Sequence, residues 1–288
     1  MKTSEEQLTV DKQKRKVERS FDFEEVGDRF RQFFSDVMGE EVEVKSAELF
    51  APLDGASSAR IEIDFSVGKA CLKALAADSD NLFEARINYI GEYEFQISGG
   101  AERVVSLRQK GPLPRGIGRV IGKDKDLIWD IALAPKIPYQ LSMKGGIGET
   151  DIDLSNLLVD AIKLETGVGK VALTLPAQDK AFAASVDGGV GKTDVVIPAG
   201  GGGKLDINGG VGEVTVTVAA DAALRLMADA GIAKVNLPQS LTRVKGGEHF
   251  VGISGVWESA HFAEAETQII IDFDGGVGSF SLEHFEVL

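Results

Sequence analysis

Apolar and polar residues alternate on both sides of a recurring glycine tetrapeptide along most of the chain. Counted from the last residue of one copy, Gly212, the second and fourth residues that follow are Val214 and Val216. The fifth and seventh residues before it are Ile207 and Leu205. Because successive side chains of a strand point to opposite faces, this pattern predicts two half-buried β-strands per repeat, joined at a glycine corner.

The tetrapeptide recurs with a nearly constant period. Its copies GGIG, TGVG, GGVG, GGVG and AGIA end at Gly148, Gly169, Gly191, Gly212 and Ala233, which are 21, 22, 21 and 21 residues apart by subtraction, and a further GGVG ends at Gly278. A fixed period of this size is typical of a repeat array, in which each unit buries its inward row only against its neighbours. The predicted fold is therefore all-β: a single-chain β-solenoid of rungs about 21 residues long, stacked about 4.8 Å apart.

The same alternation surrounds Gly68 and Gly91, so we expect irregular rungs from about residue 59 onward. The predicted solenoid domain spans 59–288. Two stretches interrupt it and are predicted to be loop excursions. One lies near 108–126 and is rich in glycine, proline and basic residues, and the other lies near 244–260 and carries Trp257.

Residues 1–58 form a different segment, with apolar residues at helical rather than strand spacing. One face of the predicted amphipathic helix, which ends at Gly39, carries Phe23, Val26, Phe30, Phe33, Phe34, Val37 and Met38. Such a helix can cap an open end of a solenoid, or it can dock on a partner or on a membrane surface. The acidic residues on its polar face disfavour the membrane alternative.

The string GGVGKT at residues 188–193 resembles a phosphate-binding loop, but its surroundings do not fit one. The glycine that a Walker A sequence requires is Val186, and the leading lysine of a related variant is Asp187. A phosphate loop also opens a helix, whereas Lys192 to Pro198 alternates as a strand. We therefore interpret the string as a structural corner and expect no nucleotide.

Composition narrows the classes of partner. The chain has 288 residues and a formal net charge of −14, which disfavours nucleic acid and direct adhesion to anionic lipid. Its one cysteine excludes an internal disulfide. With no signal-like start and no apolar run of membrane-spanning length, we expect a cytoplasmic protein, which a partner could hold at the membrane periphery.

No catalytic arrangement is visible. The histidines His249, His261 and His284 lie outside the regular repeats, and nothing in the sequence pairs them with Cys71, which is expected to be inert on a strand. We therefore predict no enzymatic activity, no catalytic or metal-binding residues and no cofactor.

One column of the repeat leaves a metal alternative open. Asp187, Asn208 and Asp229 occupy the same position in successive repeats, and a row of oxygen ligands can bind calcium. Asp-Gly and Asn-Gly are also the residues that a tight corner favours, which is the alternative interpretation.

The run from Leu127 to Pro176 resembles the toast-rack family. The resemblance rests on a tryptophan strand, a proline-bearing approach and paired glycine turns around IDLSNLL, Ile152–Leu158. Later repeats are similar to adhesin-type β-solenoid domains and to the C-terminal domains of LiaF-like cell-wall-active antibiotic response proteins. The resemblance covers roughly 59–288 and implies a stacked β fold, a bacterial origin and a link to envelope-stress sensing.

The expected function is a non-enzymatic interaction module, acting as a regulator or scaffold in envelope-stress signalling, with a protein or another copy of itself as partner. One alternative is a self-assembling scaffold comparable to the bactofilins. Another is a β-helix that binds or cleaves carbohydrate. The latter needs a groove of carboxylates or aromatics, whereas the chain has two tryptophans and three tyrosines.

Overall fold

The computed structural model describes residues 43–111, 127–248 and 253–285, and these are built almost entirely from strands. The predicted helix at 23–38, His249 and residues 112–126 of the first predicted excursion lie outside this part. The strands are β1 Lys45–Pro52, β2 Ser58–Ala74, β3 Asn81–Tyr89, β4 Glu92–Gly99, β5 Glu102–Lys110, β6 Ile128–Leu133, β7 Pro138–Asp153, β8 Leu158–Thr174, β9 Phe182–Asp187, β10 Val190–Ile197, β11 Gly203–Ala219, β12 Leu224–Asn236, β13 Thr242–Glu248, β14 Ile253–Glu258 and β15 Ile269–Phe285.

All fifteen strands belong to one sheet, and the described residues contain a short 3-10 helix at Phe262–Glu264 but no α-helix. The prediction of an all-β chain is confirmed for this part. The repeats lie parallel and in register, so that the last corner residues form one column: Gly68, Gly148, Gly169, Gly191, Gly212, Gly278 and Ala233. Each rung thereby places its inward row directly over the inward row of its neighbour.

The order of the rungs departs from the order of the sequence. Strand β15 lies between β11 and β12, because Gly278 pairs with Gly212 on one side and with Ala233 on the other. The repeat that lost its last glycine is thus the terminal rung. Ala233 lacks the positive φ of the other corners, and at the end of the stack no further rung has to match its backbone.

The sequence pattern had predicted turns that separate two strands at each corner. In the structure the corners are bends within continuous strands. Strands β7, β8, β11 and β15 run through their corners without interruption, and the rung made of β9 and β10 is divided at its corner. The last corner glycines from Gly148 to Gly278 have φ between +142° and +151°. A Cβ atom there would collide with the carbonyl oxygen of the glycine one rung earlier. Glycine is therefore required for backbone conformation and for close approach together.

One continuous apolar core runs through the stack. The inward residues Leu205, Ile207, Val214 and Val216 are each at most 8% exposed, as are their counterparts in the other inner rungs. Alternation with partly exposed outward residues in β11 confirms the predicted assignment of faces. Burying these rows together supplies most of the stabilisation, at about 25 cal/mol per Å² of apolar surface.

Two short parallel strands, each extended by antiparallel neighbours, cover the first end of the stack. The first half of β2 is covered by β5 and then β4, and its second half by β6, β3 and β1. Gly91 lies in the connection between β3 and β4, so the prediction of a rung around it is wrong. Strand β1 joins this sheet upstream of residue 59.

The other end is covered over only half of its width. The first half of β12 pairs with β14, which pairs in turn with β13. This hairpin occupies much of the predicted excursion at 244–260, and it buries Trp257 beneath the guanidinium of Arg243, 5.0 Å from the ring centre. The second half of β12 pairs with β15 and with no other strand of the described chain.

Candidate binding surface

The GGVGKT corner has none of the features of a phosphate site. Strand β10 follows it, with no helix whose amides could hold an anion. The backbone amides of Gly188 and Val211 donate to carbonyl oxygens of adjacent rungs, Asn208 and Gly189 respectively. Thr193 is buried at an inward position, 7% exposed. The corner therefore serves the stack.

Lys192, the lysine of that motif, points along the outer surface. Its Nζ lies 3.3 Å from Oδ1 of Asp194, and both side chains are more than 40% exposed. Beneath the corners, the missing side chains of the glycine column leave a narrow cavity of about 40 Å³. That is room for roughly two or three water molecules, whereas pockets for nucleotide-sized ligands have roughly 300 Å³ or more.

Cys71 and the described histidines are not brought together. Cys71 lies on the outward face of β2, between Lys69 and Lys73, and burial raises the pKa of its thiol above the ordinary value. A thiol with a raised pKa holds less thiolate at neutral pH and is a poor nucleophile. His261 is exposed beside the 3-10 helix, and His284 pairs in register with Val218 on the terminal part of β15.

The three residues that the sequence suggested as a calcium site, Asp187, Asn208 and Asp229, do not follow one another in the stack, because the rungs are not stacked in sequence order. Asp274 of β15 separates Asn208 from Asp229. The amide Nδ2 of Asn208 donates to Oδ1 of Asp187 at 2.6 Å. The described residues contain no cluster of three or more histidine, cysteine or acidic side chains with the geometry to hold a metal ion.

An ion-pair cluster occupies the same column in the rung next to Asp187. Glu165 forms two ion pairs. Its Oε1 lies 2.7 Å from Nζ of Lys163 on the same strand, and its Oε2 lies 2.9 Å from Nζ of Lys144 on the adjacent rung. The hydrogen bonds from Lys163 and then from Lys144 lower the pKa of Glu165 to about 2. This carboxylate is thus held ionised and neutralised, which suits a structural cross-strand pair rather than a general acid.

A shallow trough lies on the outward face of the stack, over the parts of β7, β8 and β9 that precede the corners. Small side chains, Ala161 of β8 and Ala183 of β9, form its floor, and Gln140 and Lys163 border it. Its volume is about 340 Å³. The trough lacks exposed aromatic rings and buried polar groups directed into it, so it offers little to orient a small ligand.

The second half of β12, residues 232–236, is the strongest candidate for a binding surface, and we call it the open edge. An edge strand presents unpaired N–H and C=O groups at alternate residues, which makes it a template for another strand. Val235 and Leu237 pack on the core but remain partly exposed, whereas their counterparts one rung inward, Phe280 and Leu282, are at most 4% exposed. The missing rung leaves both backbone and core partly uncovered.

The side chains around the open edge define its chemistry. Ile232 is 68% exposed at the corner, and Lys234 is exposed on the outward face. Asn236 is held by its Nδ2, which donates to Oγ of Ser281 at 3.0 Å. The apolar alternation around these residues is the same as in the other rungs, and the sequence signal that marks this rung is Ala233, which replaces the last corner glycine. Only their place at the end of the stack exposes them.

Comparisons with known proteins bear on the family and on the fold. A family model described as the N-terminal domain of toast_rack, DUF2154, matches residues 37–196, which is 160 of 288 residues. No curated protein matches the chain. No helix of the described residues is long and apolar enough to cross a membrane.

Solved structures that are similar to the chain include the following three. A "putative cell adhesion protein" from Clostridium sporogenes is 20% identical with a TM-score of 0.58, covering 84% of this chain and 100% of its own. "Putative adhesins" from Bacteroides fragilis and Parabacteroides merdae are 10% and 9% identical, with TM-scores of 0.27 and 0.22. Each of these two matches spans 83% of this chain. The matches span 97% of the Bacteroides fragilis protein and 96% of the Parabacteroides merdae protein. The first likeness shows a shared fold, and the other two scores are too low to carry an argument.

Proposed function

Because the chain belongs to the toast-rack family, we propose that it is a non-enzymatic binding module and that it holds a protein partner at the open edge of β12. We also infer that the register-matched rungs constitute a β-solenoid, which serves as a rigid platform for that edge. The description of the Clostridium sporogenes protein as a cell adhesion protein is in keeping with a binding role. The observation that carries the proposal is the half-covered end of the stack.

Binding would proceed by addition of a strand. The partner's backbone pairs with the free N–H and C=O groups of residues 232–236, and this pairing supplies affinity that is independent of sequence. Apolar side chains at alternate positions of the added strand cover Val235 and Leu237, which completes the core. Lys234 favours an acidic side chain beside it on the outward face and disfavours a basic one.

The test uses a photo-crosslinking residue in the full-length protein, expressed in the cells from which it comes. Placed at Lys234, the crosslinker should yield one discrete adduct with another protein. Placed at Lys192, the matched position of an inner rung, it should yield none, because that rung is paired on both sides. Equal labelling at both positions, or no adduct at Lys234, would contradict the proposal.

A second variant separates strand addition from general stickiness. Val235→Asp puts a charge where the added strand should bury an apolar side chain, so the adduct at Lys234 should be lost. Val235 is partly exposed in the free protein, and the fold should tolerate the change. An unchanged circular dichroism spectrum would establish that. An adduct that survives Val235→Asp would mean that the partner does not cover the core.

We propose further that the partner belongs to bacterial envelope-stress signalling and that the module acts in the cytoplasm, at the membrane periphery through this partner. The support is the resemblance of the repeats to LiaF-like response domains. Fractionation of cells before and after treatment with a cell-wall antibiotic tests it. A fixed amount in the soluble fraction, together with an unchanged stress response in a deletion strain, would refute this setting.

Two alternatives are less well supported by the geometry. End-to-end assembly needs an open end at both extremes of the stack, and the antiparallel groups β1–β3–β6 and β4–β5 cover the first one. Carbohydrate recognition uses exposed aromatic rings, but Trp129, Trp257 and Tyr139 are at most 9% exposed. The remaining tyrosines, Tyr89 and Tyr93, pack edge to face at 4.9 Å.

A further inference from the structure

A row of exposed and half-exposed β-branched side chains runs down the corners of the stack, across the strands. It consists of the residue just before the last corner position, and we call it the corner ridge: Val168, Val190, Val211, Val277 and Ile232 in stack order. From Val190 onward these side chains are 38%, 46%, 48% and 68% exposed. Such a continuous apolar row is uncommon on a soluble surface and marks an interaction site.

The same column is already covered by the chain itself at its first end. Val67, the equivalent residue of the first rung, is 3% exposed and forms a separate apolar cluster with Ile90 and Leu127. Val44 and Ile147 pack against that cluster. The corner ridge is therefore the uncovered continuation of an established intramolecular contact.

The N-terminal segment begins at this cluster. The described chain starts at Glu43, directly before Val44, so residues 1–42 are attached where the covered part of the column ends. A segment of five residues, the length of 39–43, spans at most about 18 Å when fully extended. The predicted amphipathic helix at 23–38 is thus tethered within reach of Val168.

We propose that the apolar face of residues 23–38 docks lengthwise on the corner ridge. A helix of 16 residues is about 24 Å long, and the four rung steps from Val168 to Ile232 span about 19 Å. Met38 then lies near Val168 and Phe23 beyond Ile232. The helix covers the side of the stack, whereas the sequence pattern had suggested a cap over one end.

The distribution of charge supports a helix whose N-terminal end lies at Ile232 and whose C-terminal end lies at Val168. The outward column that precedes the ridge is acidic toward its far end, where the exposed Asp274 and Asp229 outnumber Lys234, the exposed cation on the other side of Ile232. The basic stretch DKQKRKVER, residues 11–19, precedes the helix and would arrive at that end. Opposite charges therefore meet when the helix runs from Ile232 to Val168, and they are separated when it runs the other way.

A disulfide in the full-length chain tests the placement. In a Cys71→Ser background, Phe30→Cys and Val211→Cys should form an intramolecular disulfide under mild oxidation, because residue 30 is expected near the middle of the ridge. The control pairs Phe30→Cys with Lys204→Cys, which is seven residues earlier on β11 and roughly 23 Å away along the strand. Mass spectrometry of tryptic peptides distinguishes the products.

Each outcome decides the question. A disulfide within one chain for Val211 but not for Lys204 supports docking on the ridge. A disulfide between chains through two Val211→Cys residues would assign the ridge to a second copy and overturn the proposal. Equal yields for the two pairs, or no disulfide in either, would overturn it as well.

A measurement without cysteines guards against perturbation by Phe30→Cys. Trypsin should cut slowly after Arg29 and Arg31 in the wild-type chain, because docking hides these bonds. Val211→Asp with Val277→Asp should speed cleavage by about tenfold or more, since the cut requires undocking and the charges weaken docking. Unchanged cleavage would contradict the proposal. The urea midpoint of the double variant should stay close to that of the wild type, since both side chains lie outside the core.

Discussion

At the scale of single residues, the corner glycines decide whether rungs can stack. Gly191 has φ +147°, and a Cβ atom on it would meet the carbonyl oxygen of Gly169. The string GGVGKT thus contains glycines because two backbones approach each other closely at the corner. A phosphate-binding loop uses the same residue for the approach of a ligand, which explains the resemblance.

Gly191→Ala should lower the free energy of unfolding by roughly 2–4 kcal/mol, because both the conformation and the close contact reject a side chain. The measurement is urea denaturation followed by circular dichroism. Gly100→Ala is the matched control, since a Cβ atom at Gly100 has no neighbour within 4 Å. A similar loss in both variants would show that the corner contact is not the cause.

At the scale of elements, adjacent strands are joined on their outward faces by ion pairs as well as by the backbone. Glu165 of β8 connects to Lys144 of β7 and to Lys163 of its own strand. Because these side chains are more than 30% exposed, solvent and salt weaken the attraction. The pairs contribute to register more than to total stability.

The lowered pKa of Glu165 predicts the direction of a pH effect. A carboxyl with a folded-state pKa of about 2 stabilises the fold above its ordinary unfolded pKa, and this contribution disappears as the pH falls toward 2. The urea midpoint of the wild type should therefore exceed that of Glu165→Gln at pH 6, and the difference should shrink between pH 4.5 and 2. Added salt should reduce the difference at pH 6. A difference that grows on acidification would contradict this assignment.

At the scale of the whole molecule, the two ends of the stack are unequal. Strands β5 and β6 pair with both halves of β2 at the first end, whereas the hairpin β13–β14 covers only half of the other end. Lys234 lies on the open edge of β12, where a charged side chain discourages unspecific pairing with other chains. The full-length protein should accordingly remain a discrete species.

Lys234→Val should produce an apparent mass that rises with protein concentration, because it removes the charge that guards the open edge. Static light scattering over a concentration series is the measurement. Lys192→Val is the matched control, since it makes the same change in the same column of a rung that is paired on both sides. Association in the control alone, or filaments formed by the wild type, would refute this account of the edge.

Much of the fold could be predicted from the sequence because its rules are local. Alternation around Gly212 assigns Val214 and Val216 to the core, since side chains in a strand change face at every residue. The repeated glycines predict where the chain must bend, because only glycine tolerates that backbone there. The candidate site was not predictable in this way, since Val235 has the same apolar alternation around it as Val214, and the replacement of the corner glycine by Ala233 does not by itself reveal that this rung ends the stack.

The period of the repeat, the faces of its strands and the positions of its corners follow from the local sequence. The tertiary structure alone decided the insertion of β15 between β11 and β12, the use of the segment around Gly91 as a cover, and the exposure of the open edge and the corner ridge. The physical reason is that every rung presents nearly the same inward row. Local pattern therefore specifies how a rung buries its side chains, while long-range packing selects its neighbours.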